Sequence, residues 1–238
     1  MIGIIGAMDV EVKDLLARMK GAEAETVSGI VYHLGEIAGE KCVVAQCGIG
    51  KVAAAVCAQT MILKYAPEAV VNVGVAGGIG PDMHIGDVVV SNGLVQHDMD
   101  TTAIGDEKGW ISGLKRVVIP ASESLTALAA ETAGRIYGER KVHVGIIASG
   151  DQFISDAERM NRIRDEFGAC ACEMEGCSVA QVCYMNGTPY TVIRAISDNA
   201  NEKAAVDYTA FFAESARKTA KLIVGILPAV GRKKDGPA

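Results

Sequence analysis

Two hydrophobic periods alternate along the chain. Apolar runs at 2–6, 69–75 and 190–197 predict strands covered on both faces, and 141–147 reads as a further strand. Shorter β segments are expected at 30–37, 41–46, 86–90 and 94–96, and a short extended piece at 171–175. Between them the apolar positions recur at helical spacing. Residues 9–20 place Val12, Leu15, Leu16 and Met19 on one stripe, and further helices are expected at 51–63, 122–137, 175–186 and 207–227. Ser155 and Glu158 have the spacing of a capping box and should open another helix, while Asn186-Gly187 with Pro189 beyond should close the one before it. Residues 98–118 read as irregular and hold the only Trp, Trp110. Alternation of this kind predicts an α/β fold with a mixed or mainly parallel sheet and helices on both sides. No linker of Pro, Ser or charge interrupts it, so residues 1–230 are expected to form one domain and 231–238 a mobile tail, its basic triplet Arg232-Lys233-Lys234 a solvated end.

Composition narrows the picture. Half of the 238 residues are hydrophobic but only 5% are aromatic, so the apolar content is Ala, Val, Ile and Met, which suits buried parallel strands. The 23 Lys and Arg against 29 Asp and Glu leave a net charge of −6, the wrong sign for a nucleic-acid partner. No apolar run reaches the ~18 residues of a membrane span, and the hydrophobicity excludes disorder. The opening Met1-Ile2-Gly3-Ile4-Ile5-Gly6 has no basic leader and reads as a buried strand rather than a signal peptide. Seven Cys without an export signal point to free thiols in a reducing cytoplasm. Cys170, Cys172, Cys177 and Cys183 match no common zinc spacing and are read as small buried residues, so neither metal nor cofactor is expected.

Several motifs begin and then fail. Gly48-x-Gly50-x-x-Ala53 follows a strand and opens a helix, but the next strand carries no ribose-binding acid, so a dinucleotide site is not expected. Gly50-Lys51 is followed by Val52, not Ser or Thr, which rules out a phosphate loop. No Gly-x-Ser-x-Gly elbow occurs, and His97-Asp98-Met99-Asp100 reads as a local polar cluster. Three carboxylates remain. Glu11 lies on the first turn of a helix, Glu175 at a strand-to-helix junction, and Asp198 just past the apolar strand 190–197. Ligands of open α/β sheets bind beyond the carboxyl ends of strands, so these acids could share a site. Taken singly, each is more simply a helix-terminus charge or a turn cap.

Six segments in order change that balance: Gly6-Ala7-Met8-x-x-Glu11, Gly48-Ile49-Gly50-Lys51-Val52-Ala53-Ala54, Gly74-x-Ala76-Gly77-Gly78, Ser149-Gly150-Asp151-x-Phe153-Ile154, Glu173-Met174-Glu175 and Arg194-Ala195-Ile196-Ser197-Asp198. Together they resemble the 5′-methylthioadenosine/S-adenosylhomocysteine nucleosidases of the nucleoside phosphorylase superfamily, over residues 1–227. The resemblance implies a three-layer sandwich with a central mixed β-sheet flanked by helices. It also implies hydrolysis of the N-glycosidic bond of methylthioadenosine and S-adenosylhomocysteine, releasing adenine and a 5-thioribose product. Asp198 matches the acid that protonates N7 of the purine, and Glu11 the base that activates water. Glu175 matches the residue that binds the ribose hydroxyls, and Arg194 one that orients water and acids. Phe153 would stack on the base, the Ile154 backbone would pair with its edge, and Gly77 would let the backbone approach it. Met174, Met8, Ile49 and Tyr208 match positions that line the ribose and its 5′ substituent, and Glu173, Val75 and Ser197 are expected among the substrate-binding residues. To donate a proton at neutral pH, Asp198 needs burial that raises its pKa.

Two departures stand out. Val75 occupies a position where the family has Ser, and residues 105–113 lack a Pro that often reaches a neighbouring subunit's site. The resemblance further implies a cytoplasmic homodimer with a small nucleoside substrate. Three other functions remain open: a purine nucleoside phosphorylase, a hydrolase of a related nucleoside such as futalosine, and a non-catalytic nucleoside-binding module.

Overall fold

The computed structural model describes residues 1–80, 82–199 and 208–232, apart from the side chains of 199, 208–213 and 231–232. In chain order the elements are β1 (Ile2–Gly6), α1 (Asp9–Leu16), β2 (Lys20–Val27), β3 (Ile30–Ile37), β4 (Glu40–Gln46), α2 (Lys51–Tyr65), β5 (Ala69–Gly78), β6 (Val88–Gln96), β7 (Ile119–Pro120), α3 (Glu123–Tyr137), β8 (Val142–Ser149), α4 (Ala157–Phe167), β9 (Ala169–Glu173), α5 (Gly176–Asn186), β10 (Tyr190–Asn199) and α6 (Tyr208–Arg232).

The strands form one mixed sheet in the order β10-β6-β8-β9-β5-β1-β4-β3-β2, with β7 added to β6. β10 also pairs with β5, so five of these strands close on themselves. At the centre β1 runs parallel to both β4 and β5, and β5 parallel to β10. Alternate residues of these strands enter two cores, which is why their sequences are mostly apolar. Val43, Ala45 and Val70 face α2 and α5, where Ala54, Cys57, Ala58, Cys177 and Ala180 cover them. Cys42, Val44, Val71 and Val73 face the other way, onto Val12, Leu15, Ala129, Ile223 and Leu227 of α1, α3 and α6. The sandwich of helices on both faces of a mixed sheet is the architecture that the alternation predicts.

The boundaries differ at several points. The helix expected at 9–20 ends at Leu16, and Lys20 already starts β2. Lys-Gly-Ala-Glu-Ala-Glu-Thr-Val has no apolar face because β2 is an exposed edge strand, held by pairing with β3 rather than by burial. The segments expected at 86–90 and 94–96 merge into a single strand, β6, which begins at Val88 and whose register against β8 shifts between Ser91 and Gly93. α4 is capped by Asp156, which accepts from the Arg159 N–H at 2.9 Å, and not by Ser155. Gly231 and Arg232 continue α6 past Pro228 instead of starting the tail, and residues 233–238 lie outside the description. Among the described residues no helix is long and apolar enough to cross a membrane.

Candidate active site

A cleft opens at the carboxyl ends of β1, β5, β9 and β10. Met8 and Glu11 border it behind β1, Val75, Ala76 and Gly77 on β5, Cys172 to Glu175 at the end of β9, and Ser197 and Asp198 on β10. Ile49, from the turn before α2, and Phe153, from the loop after β8, complete the rim. It encloses about 530 Å³ including its open mouth, within the range of small-ligand sites.

Glu11 stands three residues after the Met8 N-cap, where a Glu side chain can reach back to free helix N–H groups. Its Oε2 accepts from the N–H of Ala7 at 2.7 Å and Met8 at 2.9 Å, and its Oε1 from the N–H of Val75 at 3.2 Å. Burial pushes its pKa up, and the Arg194 charge and these N–H donors pull against that rise. Space for the carboxylate comes from Gly74, where a Cβ would lie 2.5 Å from Oε1.

Asp198 reaches the cleft through a bulge. Opposite β5, Ile196 pairs with Ala76 and Asp198 with Gly77, so Ser197 is the extra residue. In regular pairing without the bulge, Asp198 would fall two places after Ile196 and share its face of the sheet. The strand therefore extends through this position, and Asp198 lies on β10 rather than beyond its end. Ser197 Oγ donates to Asp198 Oδ1 at 2.7 Å. A Cβ at Gly77 would lie 3.2 Å from Oδ2. Burial raises the Asp198 pKa, and the Ser197 hydrogen bond pulls against that rise.

The two glutamates after β9 behave oppositely. Glu173 borders the cleft, but its carboxylate is committed elsewhere. Oε2 accepts from the N–H of Glu175 at 3.0 Å and of Gly176 at 2.8 Å, and also from Arg194 Nη2; Oε1 accepts from Ser149 Oγ. Burial alone would raise its pKa, yet Arg194 and these donors hold it low. Glu175 is pushed up to about 7, by burial first and by the Glu173 charge second. Its Oε1 accepts from the Gly50 N–H at 2.8 Å.

Arg194 does not border the cleft. It is 1% exposed and stands behind the wall, where Nη2 donates to Asn72 Oδ1 at 2.6 Å as well as to Glu173. Its charge therefore bears on the cleft through Glu173, which it contacts, and over a longer distance on Glu175 and Glu11. Asn72 in turn donates to the Ile5 carbonyl at 2.9 Å. Asn72 and Ser149 are the members of this network that the residue pattern did not single out. The available signal was a lone Asn inside the apolar run Val70-Val71-Asn72-Val73, since a buried amide demands partners.

Met8, Ile49, Val75 and Met174 supply apolar surface around the carboxylates. Phe153 is 63% exposed at the rim, whereas the Ile154 side chain turns into the core beside Met160 and Ile163, leaving its backbone for any ligand contact. Tyr208 begins α6, and its side chain lies outside the description. Cys172, Cys177 and Cys183 are buried and Cys170 is partly so. Among the described residues no group of three His, Cys, Asp or Glu side chains is arranged to hold a metal ion.

Comparison with known proteins agrees with this fold. The family described as the phosphorylase superfamily matches residues 1–228. A 5′-methylthioadenosine/S-adenosylhomocysteine nucleosidase of Shewanella sp. strain MR-7 is 42% identical over 227 residues, 95% of each chain. The structure of the nucleosidase of that name from Neisseria meningitidis, in complex with methylthio-immucillin-A, superposes with a TM-score of 0.89 at 35% identity, covering 96% of this chain and 98% of that one. A futalosine hydrolase of Helicobacter pylori superposes equally well, with a TM-score of 0.89 at 40% identity over 96% of this chain and 97% of its own.

Proposed function

The chain belongs to the phosphorylase superfamily, and from that premise we propose that it hydrolyses the N-glycosidic bond of 5′-methylthioadenosine and S-adenosylhomocysteine. One observation supports this most directly. Glu11 and Asp198, 187 positions apart along the chain (198 − 11), present their carboxyl groups to one cleft. Adenine leaves poorly as an anion, so its N7 needs a proton; Asp198, its pKa raised by burial, is the donor. The opposite partner is water, and Glu11 is the base that takes its proton as C1′ is attacked. The ribosyl centre becomes cation-like on the way, and the carboxylates around it stabilise that charge. Glu175, with one oxygen on Gly50, keeps the other for the ribose hydroxyls.

Phosphorolysis is disfavoured by the lining. No Lys or Arg is among the described residues that border the cleft, and the cation behind it is engaged by Glu173. A phosphate beside Glu11 and Glu175 would meet like charge. We read residues 1–230 as one folding unit of a cytoplasmic homodimer, with the exposed Val52 and Val56 of α2 and Met185 of α5 as the apolar surface available to a partner copy. The likeness to a futalosine hydrolase supports a second reading of the 5′ substituent, with the same acid and base.

Incubation with methylthioadenosine in phosphate-free buffer tests the proposal. Free adenine should appear, and added phosphate should not accelerate it. Strict dependence on phosphate would make the protein a phosphorylase, and binding without adenine release would make it a nucleoside-binding module. Relative kcat/KM for methylthioadenosine, S-adenosylhomocysteine and futalosine assigns the preferred substrate.

A further inference from the structure

The polar segment His97-Asp98 at the end of β6 has no part in the chemistry above, yet it joins the two segments that complete the cleft's rim. Asp98 Oδ1 accepts from Lys51 Nζ at 2.7 Å, and Asp98 Oδ2 from the Asp151 N–H at 2.9 Å. Asp151 Oδ1 accepts from the Lys51 N–H at 2.7 Å, which closes a triangle of three hydrogen bonds among three distant segments. Lys51 Nζ is steadied further by Gln96 Oε1 at 3.1 Å. The Lys51 and Asp98 side chains are only 20% and 17% exposed, so salt screens this pair less than a surface one. Burial opposes the Asp98 charge, but Lys51 and the Asp151 N–H keep its carboxyl below the ordinary range. Beneath the same loop the His97 ring lies flush against Gly150, where any Cβ would collide with it. Lys51 directly follows Ile49-Gly50, and Asp151 precedes Phe153 by two residues.

We propose that Asp98, with Lys51 and Asp151, is a positioning clamp that ties the Ile49 turn to the Phe153 loop and so sets how tightly the cleft grips its purine. The inference rests on the hydrolytic reading above and adds a determinant of affinity to it. Neither Asp98 nor Lys51 borders the cleft; they act by fixing the separation of the two rim residues that do. A base stacked on an aromatic ring gains roughly 1–3 kcal/mol, so a ring held off its place gives up part of the affinity.

The test uses the full chain carrying Asp98→Ala, Asp98→Asn or Lys51→Met, with methylthioadenosine turnover and, separately, calorimetric titration with adenine. KM and the adenine dissociation constant should rise together by roughly tenfold, part of what full loss of stacking would cost. The kcat should change much less, and its pH profile should stay in place, because Glu11 and Asp198 touch none of the three. Asp98→Asn, which keeps an acceptor for the Asp151 N–H but drops the charge, should fall between the parent and Asp98→Ala. In a Phe153→Ala background the Asp98→Ala effect should shrink, since the ring it positions is gone. Unchanged KM and adenine affinity in Asp98→Ala, or full additivity with Phe153→Ala, would overturn the clamp. If Asp98→Ala does not fold, Asp98→Asn and Lys51→Met give the same readings. A parent protein that releases no adenine overturns the hydrolytic reading instead, and the adenine titration still decides the clamp.

Discussion

The cleft and the wall behind it are both built from buried carboxylates, and they treat charge in opposite ways. In the wall, Glu173 meets a guanidinium, a hydroxyl and two backbone N–H groups, and its pKa falls despite burial. In the cleft, Glu11, Glu175 and Asp198 are also buried, but fewer donors of the described residues reach them, and all three pKa values rise. Burial alone therefore does not set the protonation state; the aimed donors and the position of the Arg194 cation do. The wall holds a fixed charge as scaffold, while the cleft keeps lone pairs and protons available for a substrate.

Substitutions can break that contrast from either side. The largest effect is expected for Asp198→Asn, which keeps shape but cannot deliver its proton in the same way. Adenine release should fall by about 10²- to 10⁴-fold with the fold intact, measured by kcat and circular dichroism. Glu11→Gln should cost a similar factor; near-normal turnover in either variant would remove that residue from its role. Arg194→Met strips the wall of its cation and leaves Glu173 buried and uncompensated. A loss of roughly 3–5 kcal/mol of stability is expected in urea unfolding, together with a shift in the pH profile as Glu175 and Glu11 lose a neighbouring positive charge.

A smaller effect sharpens the comparison through pH. The folded pKa of Glu175, about 7, lies above its unfolded value, so its contribution to stability is present in acid and is lost as pH rises through about 7. Glu175→Gln should remove that loss, raising Tm by a few degrees at pH 8 and little at pH 4, while KM for the nucleoside worsens. A Tm gain that is the same at both pH values would show that the carboxyl is not the source. Smallest of all is Lys64→Ala at the Glu25 ion pair between α2 and β2, far from either region. Exposed pairs contribute little, so neither Tm nor turnover should change measurably.

Much of the architecture is legible without coordinates. The double-sided apolar runs at β1, β5 and β10 follow from strands covered on both faces. β2 was not, because an edge strand satisfies its backbone by pairing and places no demand on its side chains. Among the acids, Glu11 and Glu175 could each have been a helix-terminus charge. The Ser197 bulge that turns Asp198 inward leaves no mark in hydrophobic periodicity. Asn72 was visible as a polar residue in an apolar strand, but its partners lie 67 and 122 positions away.

What the order of residues determined by itself is the alternation of strand and helix, the two buried faces of the sheet, and the set of acids and glycines available near strand ends. Those are local properties, fixed by periodicity and backbone preference within a few residues. Only the folded chain decided which carboxylates keep their charge and which take up protons. That choice depends on a single guanidinium, a bulge and a handful of N–H groups brought together from across the sheet, and electrostatics over a few ångströms is blind to separation along the chain.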